Sequence, residues 1–130
     1  MKVIENEPDA WKEKIGKSLR GLGFEKVFYQ KQEKLSSHEC CVFYTDVDIE
    51  LYSTDSYVLT ATIIIQYYET YDVDMFTRII DIVSNVEKEF CTSNLSDATT
   101  FMFGKSQITE LGTSYMVRIP FTLRREVDHG

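Results

Sequence analysis

Glycine and proline are scarce in this sequence, with six and two residues respectively among 130. Fibrous and low-complexity chains are rich in these residues, so their scarcity predicts regular elements joined by tight turns. Hydrophobic residues make up 43% of the chain and aromatic residues 13%, and disordered chains lack such a supply of core residues. We therefore expect one folded domain over residues 1–130, with loose ends at 1–7 and 128–130.

Basic residues are also in deficit, because 14 Lys and Arg stand against 21 Asp and Glu, giving a net charge of −7. Binding to nucleic acid or to an anionic membrane needs clustered positive charge. A single small group qualifies, Arg118, Arg124 and Arg125, so we predict neither specific nucleic-acid binding nor membrane attachment. The longest apolar run, residues 61–65, is too short to span a bilayer. The first residues lack an apolar signal-peptide core, so an intracellular protein is expected.

Cysteine and histidine number only three and two. An odd cysteine count with Cys40 and Cys41 adjacent does not indicate a disulfide framework, so we expect free thiols, including Cys91. Residues 38–41, His-Glu-Cys-Cys, could begin a nucleophilic or metal site. Neighbouring strand residues point to opposite faces, however, and no second cluster completes a metal site. The simpler interpretation is a strand start with one buried thiol, and no metal or cofactor is predicted.

Hydrophobic periodicity predicts an α+β fold in the order α-β-β-β-α-β-β. Two amphipathic helices should cover one face of an antiparallel sheet of about five strands. Pro120 cannot donate a ladder hydrogen bond, so its strand should lie at an edge or carry a bulge. The predicted helices are 8–22 and 73–91, and the predicted strands are 24–30, 40–52, 57–69, 99–110 and 114–127.

The predicted core follows from two patterns. Strict alternation over residues 40–52 places the odd-numbered side chains on the helix-covered face and the even-numbered ones on the opposite face. In the second helix, an apolar stripe that includes Ile79 and Ile80 should face the sheet. The residues expected to be buried together are Phe43, Ile49, Ile63, Ile79, Val83 and Val117.

The opposite face of the sheet carries the strongest candidate for function. Asp46, Asp48 and Glu50 recur along one strand, about 7 Å apart in succession. Such carboxylates could bind a hard cation or act as acid and base, but no glycine turn or further ligand cluster accompanies them. A solvated or partner-facing surface is the simpler interpretation. The predicted interface comprises Tyr44, Asp46, Asp48, Glu50, Tyr52, Ile64 and Tyr68, with Arg118, Arg124 and Arg125 as the complementary group on another subunit.

In order of elements, length and acidic charge, the sequence resembles the tail terminator and tail-completion proteins of long-tailed bacteriophages and phage-tail-like bacteriocins. The correspondence covers four segments, 8–22, 41–65, 76–90 and 115–125, and includes no signature motif. The resemblance implies a non-enzymatic protein that forms a hexameric ring on the end of the tail tube. It implies contact with tube protein, with sheath or collar protein as further candidate partners. It also implies residence in the host cytoplasm during assembly and then in a virion or tail-like particle.

Two other functions are compatible with the same sequence. A small-molecule-binding protein would hold its ligand in an apolar pocket between the sheet and the second helix. An enzyme would use the carboxylates at 46, 48 and 50 or the thiol of Cys41. We prefer the structural ring, because an acidic surface around a passage for DNA would not hold the phosphates.

Overall fold

Two helices pack on one face of a six-stranded sheet in the computed structural model, which describes residues 2–68, 75–92, 99–112 and 114–126. The predicted α+β class is confirmed. The sheet has six strands rather than about five, and the pair β1–β2 is parallel. In chain order the elements are α1 (Lys2–Gly21), β1 (Lys26–Phe28), β2 (Glu39–Leu51), β3 (Tyr57–Tyr68), α2 (Met75–Thr92), β4 (Thr99–Phe103), β5 (Gln107–Leu111) and β6 (Ser114–Arg125).

Helix α1 begins earlier than the sequence pattern predicts. It starts at Lys2 rather than at about Pro8, so residues 2–7, expected to be loose, are helical. Its end follows from Gly23, which has a φ of 107°. The Gly23 N–H donates to the Arg20 carbonyl at 3.1 Å and the Phe24 N–H to the Leu19 carbonyl at 3.3 Å. These two bonds form a Schellman cap, which needs a left-handed residue at this position. The predicted loose end at 128–130 lies outside the described residues.

The sheet order is β1-β2-β3-β6-β4, with β5 also paired to β6. The predicted strand over 99–110 is therefore two strands, interrupted at residues 104–106. Pro120 explains the interruption. Its carbonyl accepts the Gly104 N–H at 2.9 Å, and its missing N–H faces the same side, where the described residues 104–106 form no regular strand. The expectation of an edge strand or bulge at Pro120 is wrong, because β6 lies inside the sheet opposite a break in its neighbours.

The core lies between the helices and the sheet. Ile15 and Leu19 of α1 are fully buried, as are Ile82 and Val86 of α2. Of the predicted core, Ile63 and Val117 are confirmed as fully buried. Ile79 and Val83 are only half-buried, and Ile80 is 63% exposed. Helix α2 is therefore turned so that Ile82 and Val86 face the core, whereas the side that carries Ile80 faces solvent.

A β-bulge in β2 overturns the predicted alternation. Thr45 pairs with Thr62 and Asp48 with Thr60, so residues 46 and 47 together face Ala61 alone. Asp46 has a φ of 55°, a left-handed conformation that Asp tolerates better than most residues. The extra residue moves every later side chain to the other face.

The bulge corrects two members of the predicted core. Phe43 lies on the face away from the helices and is half-buried, whereas Ile49 lies on the helix side. Ile49 is nevertheless 41% exposed. Both residues were expected in the buried core, and both expectations are wrong. The added residue means that one alternation of faces cannot hold along the whole of β2.

Candidate interaction surface

We use "outer face" for the face of the sheet opposite the helices. Beyond the bulge, Asp48 and Glu50 lie on it, alternating with Ile49 on the helix side. Arg118 and Arg124 lie on the same face of β6, because they alternate with the buried Val117, Ile119 and Leu123. All four charged side chains are exposed. The structure therefore places four of the predicted interface residues on one face of the sheet.

Two of the predicted interface residues lie on the helix side instead. The Tyr44 ring packs edge-on against Phe121, with centroids 6.2 Å apart, and the Lys12 amine lies 5.9 Å from its centroid. Arg125 shares its row with Tyr57, which is buried with the core. The bulge separates Tyr44 from the acids, and the ordinary alternation of β6 separates Arg125 from Arg124.

Ile64 and Tyr68 are on the outer face, but Ile64 is only 2% exposed. Its predicted exposure is wrong, and Tyr68 is half-buried. Cys41, on the same face, is fully buried, and the backbone of Gln32 hydrogen-bonds its thiol. The loop between β1 and β2 therefore covers this end of the outer face. Leu35, the one apolar residue of that polar loop, is also buried, and was the sequence signal for this cover.

Tyr52 and Arg124 interact with acidic residues of the same chain, Glu50 and Glu126. A hydrogen bond with Glu50 and the charge of that carboxylate raise the pKa of Tyr52, against a smaller opposing effect of Arg124. The Arg124 guanidinium also pairs with the Glu126 carboxylate at 3.2 Å. Arg124 thus lies beside acids of its own chain, and the outer face carries a mixed cluster of charges instead of two separate patches.

A shallow depression of about 220 Å³ lies on the outer face. Its floor is formed by two outer-face pairs of β3 and β6, Thr60 with Thr122 and Thr62 with Pro120. Asp46, in the bulge of β2, lies at its border. The lining residues are Asp46, Thr60, Ala61, Thr62, Gly104, Pro120, Phe121 and Thr122. This depression is on the side opposite α2, so it is not the apolar pocket that a small-molecule-binding protein was expected to have.

The cysteines of β2 are poor nucleophiles. Burial, and secondarily the neighbouring Cys41, raises the pKa of the Cys40 thiol to about 12, and burial raises the pKa of Cys41. Both thiols are free, while the side chain of Cys91 lies outside the described residues. His38 is exposed in a turn with a φ of 64°. Within the described ranges, no group of three or more His, Cys, Asp or Glu side chains could hold a metal ion.

Neither described helix combines the length and hydrophobicity that crossing a membrane requires.

Comparison with known proteins bears on the fold. No protein-family model matches the sequence, and no curated protein matches it significantly. Among solved structures, the chain is similar to a chain of the virion of a native gene transfer agent particle, with a TM-score of 0.55 and 13% sequence identity. The match covers 89% of this chain and 94% of that chain. The two chains share a fold.

Proposed function

We propose that this chain is a structural component of a phage-like particle, and that it forms a ring, hexameric by resemblance, at the end of the tail tube. The observation that carries the proposal is the match in fold to a virion chain over 89% of one chain and 94% of the other. A likeness over nearly the whole of both chains favours a similar use of the whole domain, rather than of a shared fragment. The chain would assemble in the host cytoplasm and then remain in the virion or tail-like particle.

The chemistry of the described residues supports a structural role. The raised pKa values of Cys40 and Cys41 leave almost no thiolate near neutral pH, so neither suits nucleophilic catalysis. The acids of β2 are exposed, and active sites more often bury such groups to shift their pKa. These features favour binding over catalysis.

The outer face is the surface that we assign to the tail tube protein. Tyr52 is 66% exposed and Met102 is 71% exposed, and both residue types are enriched at protein interfaces. Asp48, Glu50 and Arg124 supply charges beside them. Sheath or collar protein would bind elsewhere on the same ring. The net charge of −7 would let DNA pass without being held.

Purified chain mixed with tail tubes of the same particle tests this function. Electron microscopy should show a cap on one end of each tube, and the tubes should stop growing there. The double substitution Asp48→Lys with Glu50→Lys should reduce capping, because it inverts the charge of the outer face. Ile80→Lys is the control, since Ile80 is exposed on α2, on the other side of the sheet. Tubes that remain uncapped with the parent chain would contradict the proposal.

A further inference from the structure

Among the described residues, the sheet has two edges whose main-chain groups no further described strand pairs. On one side, only Glu39–Cys41 of β2 have a described partner, the parallel strand β1. The second half of β2, from Asp46 to Leu51, pairs on this side with no other described strand, and we call it the free half of β2. On the other side, β4 pairs with β6 alone among the described strands. Such edges present rows of N–H and C=O groups that can add another strand.

The two edges are level with each other across the sheet. Pairing is continuous from the second half of β2 through β3 and β6 to β4, without a shift beyond the bulge. Two of the rows that cross the whole sheet are Glu50–Val58–Arg124–Thr100 and Ile49–Leu59–Leu123–Phe101. A second copy placed beside the first at the same height therefore brings its β4 next to the free half of β2.

The edges are also complementary in composition. Residues 42–51 contain three acids and no base, whereas residues 99–106 contain Lys105 and no acid. On the helix side of the β2 edge, Val47, Ile49 and Leu51 are 57%, 41% and 49% exposed. On the same side of β4, the Phe101 and Phe103 rings stack with centroids 6.4 Å apart. Apolar residues would thus meet apolar residues, and acids would lie near a base.

We propose that the free half of β2 in one copy pairs with β4 of a second copy, forming a head-to-tail contact between two different edges. The pairing is antiparallel, because β2, β3, β6 and β4 alternate in direction within one chain. A contact between unlike edges closes into a ring when its rotation allows. This inference rests on the proposed ring and names the interface that builds it. Arg125, on the helix side, has no part in it.

Two variants that each block one edge test the contact. Val47→Glu with Leu51→Glu adds charge to the β2 edge, and Met102→Glu with Lys105→Glu makes the β4 edge acidic. Each variant alone should sediment as a 15.1 kDa monomer, while the parent forms larger assemblies. Mixed in equal amounts, they should form dimers and nothing larger, because one intact β2 edge and one intact β4 edge remain. Circular dichroism checks that each variant is folded.

The mixing result separates head-to-tail pairing from other arrangements. If β2 paired with β2 of its partner, the β4 variant would assemble like the parent, and the inference would be wrong. The same conclusion follows if both variants assemble normally. Ile80→Glu is the matched control, since it places the same charge at an exposed apolar residue away from both edges, and its assembly should equal that of the parent.

A disulfide tests the register directly. Glu50 and Thr100 share one row and are both exposed, and facing residues of an antiparallel pair are close enough for a disulfide. Oxidation of the double variant Glu50→Cys with Thr100→Cys should give a ladder of covalently linked oligomers on a denaturing gel. Each single variant should stop at a linked dimer or give none. A double variant that stays monomeric on the gel, although the parent assembles, would refute the pairing.

These results are distinguishable from failure of the proposed function. If both edge variants assemble normally and still cap tubes, the pairing of β2 with β4 is refuted. The proposed role at the end of the tail tube is then unaffected. A parent chain that stays monomeric at high concentration and on tubes refutes both.

Discussion

Among individual residues, Asp46 has the widest consequence for the surface of the chain. Its left-handed backbone, with a φ of 55°, accommodates the extra residue of the bulge. Everything on β2 after it changes face, which places Asp48 and Glu50 on the outer face and Ile49 and Leu51 on the helix side. The residues that the outer face offers to tube protein, and those that the β2 edge offers to a second copy, therefore both depend on this position.

Substitution of Asp46 tests the bulge. Asp46→Gly should retain or slightly raise stability, because glycine adopts a positive φ without strain. Asp46→Val should lower the free energy of unfolding by about 1–2 kcal/mol, since a β-branched residue is strained there. Urea titration of the two variants measures the difference. Equal stability of the valine and glycine variants would show that residue 46 is not left-handed.

The buried thiol of Cys40 makes a prediction about pH. Its pKa is raised from 9.0 to about 12 in the folded chain, so the unfolded chain loses this proton first as pH rises. The contribution to stability is complete below pH about 9 and is lost between about 9 and 12, by up to about 4 kcal/mol. The free energy of unfolding, measured against pH, should fall less steeply over this range in Cys40→Ala than in the parent. Parallel curves would contradict the assigned burial.

At the scale of elements, periodicity predicts both helices and most strands, because each has an apolar face that must be buried. What periodicity misses are features created by neighbours. The break between β4 and β5 depends on Pro120 of another strand, and the burial of Ile64 accompanies a covering loop. In the sequence, the bulge is marked only by Asp46, one of several acids in an alternating segment. The acidic row was therefore predictable, while its separation from Tyr44 was not.

A pair of truncations tests the phase of the central strands. Ile63 is fully buried in β3, and Ile63→Ala should reduce the free energy of unfolding by about 2–5 kcal/mol. Ile49, 41% exposed in β2, should lose only about 1 kcal/mol on the same change, because less apolar surface is removed from contact. Denaturant titrations of both variants give the comparison. Equal losses would show that Ile49 is buried like Ile63, in contradiction to its partial exposure.

The molecule as a whole combines a fold similar to that of a virion chain, an excess of acidic residues and two unlike sheet edges. Each edge has something the other lacks: acids and exposed aliphatic residues on β2, a base and stacked aromatic rings on β4. In a monomer no other described strand pairs with either edge, whereas a closed ring would pair each of them. Assembly is therefore the property on which the proposed function depends.

Native mass spectrometry of the purified chain, alone and after incubation with tail tube protein, measures that property most directly. We expect a closed oligomer, of six copies by the tail-terminator resemblance, formed by the chain alone or on the tube. The β2-edge variant, Val47→Glu with Leu51→Glu, should remain at the monomer mass of 15.1 kDa. A parent chain found only as a monomer, both alone and with tube protein, would contradict the ring and the function proposed from it.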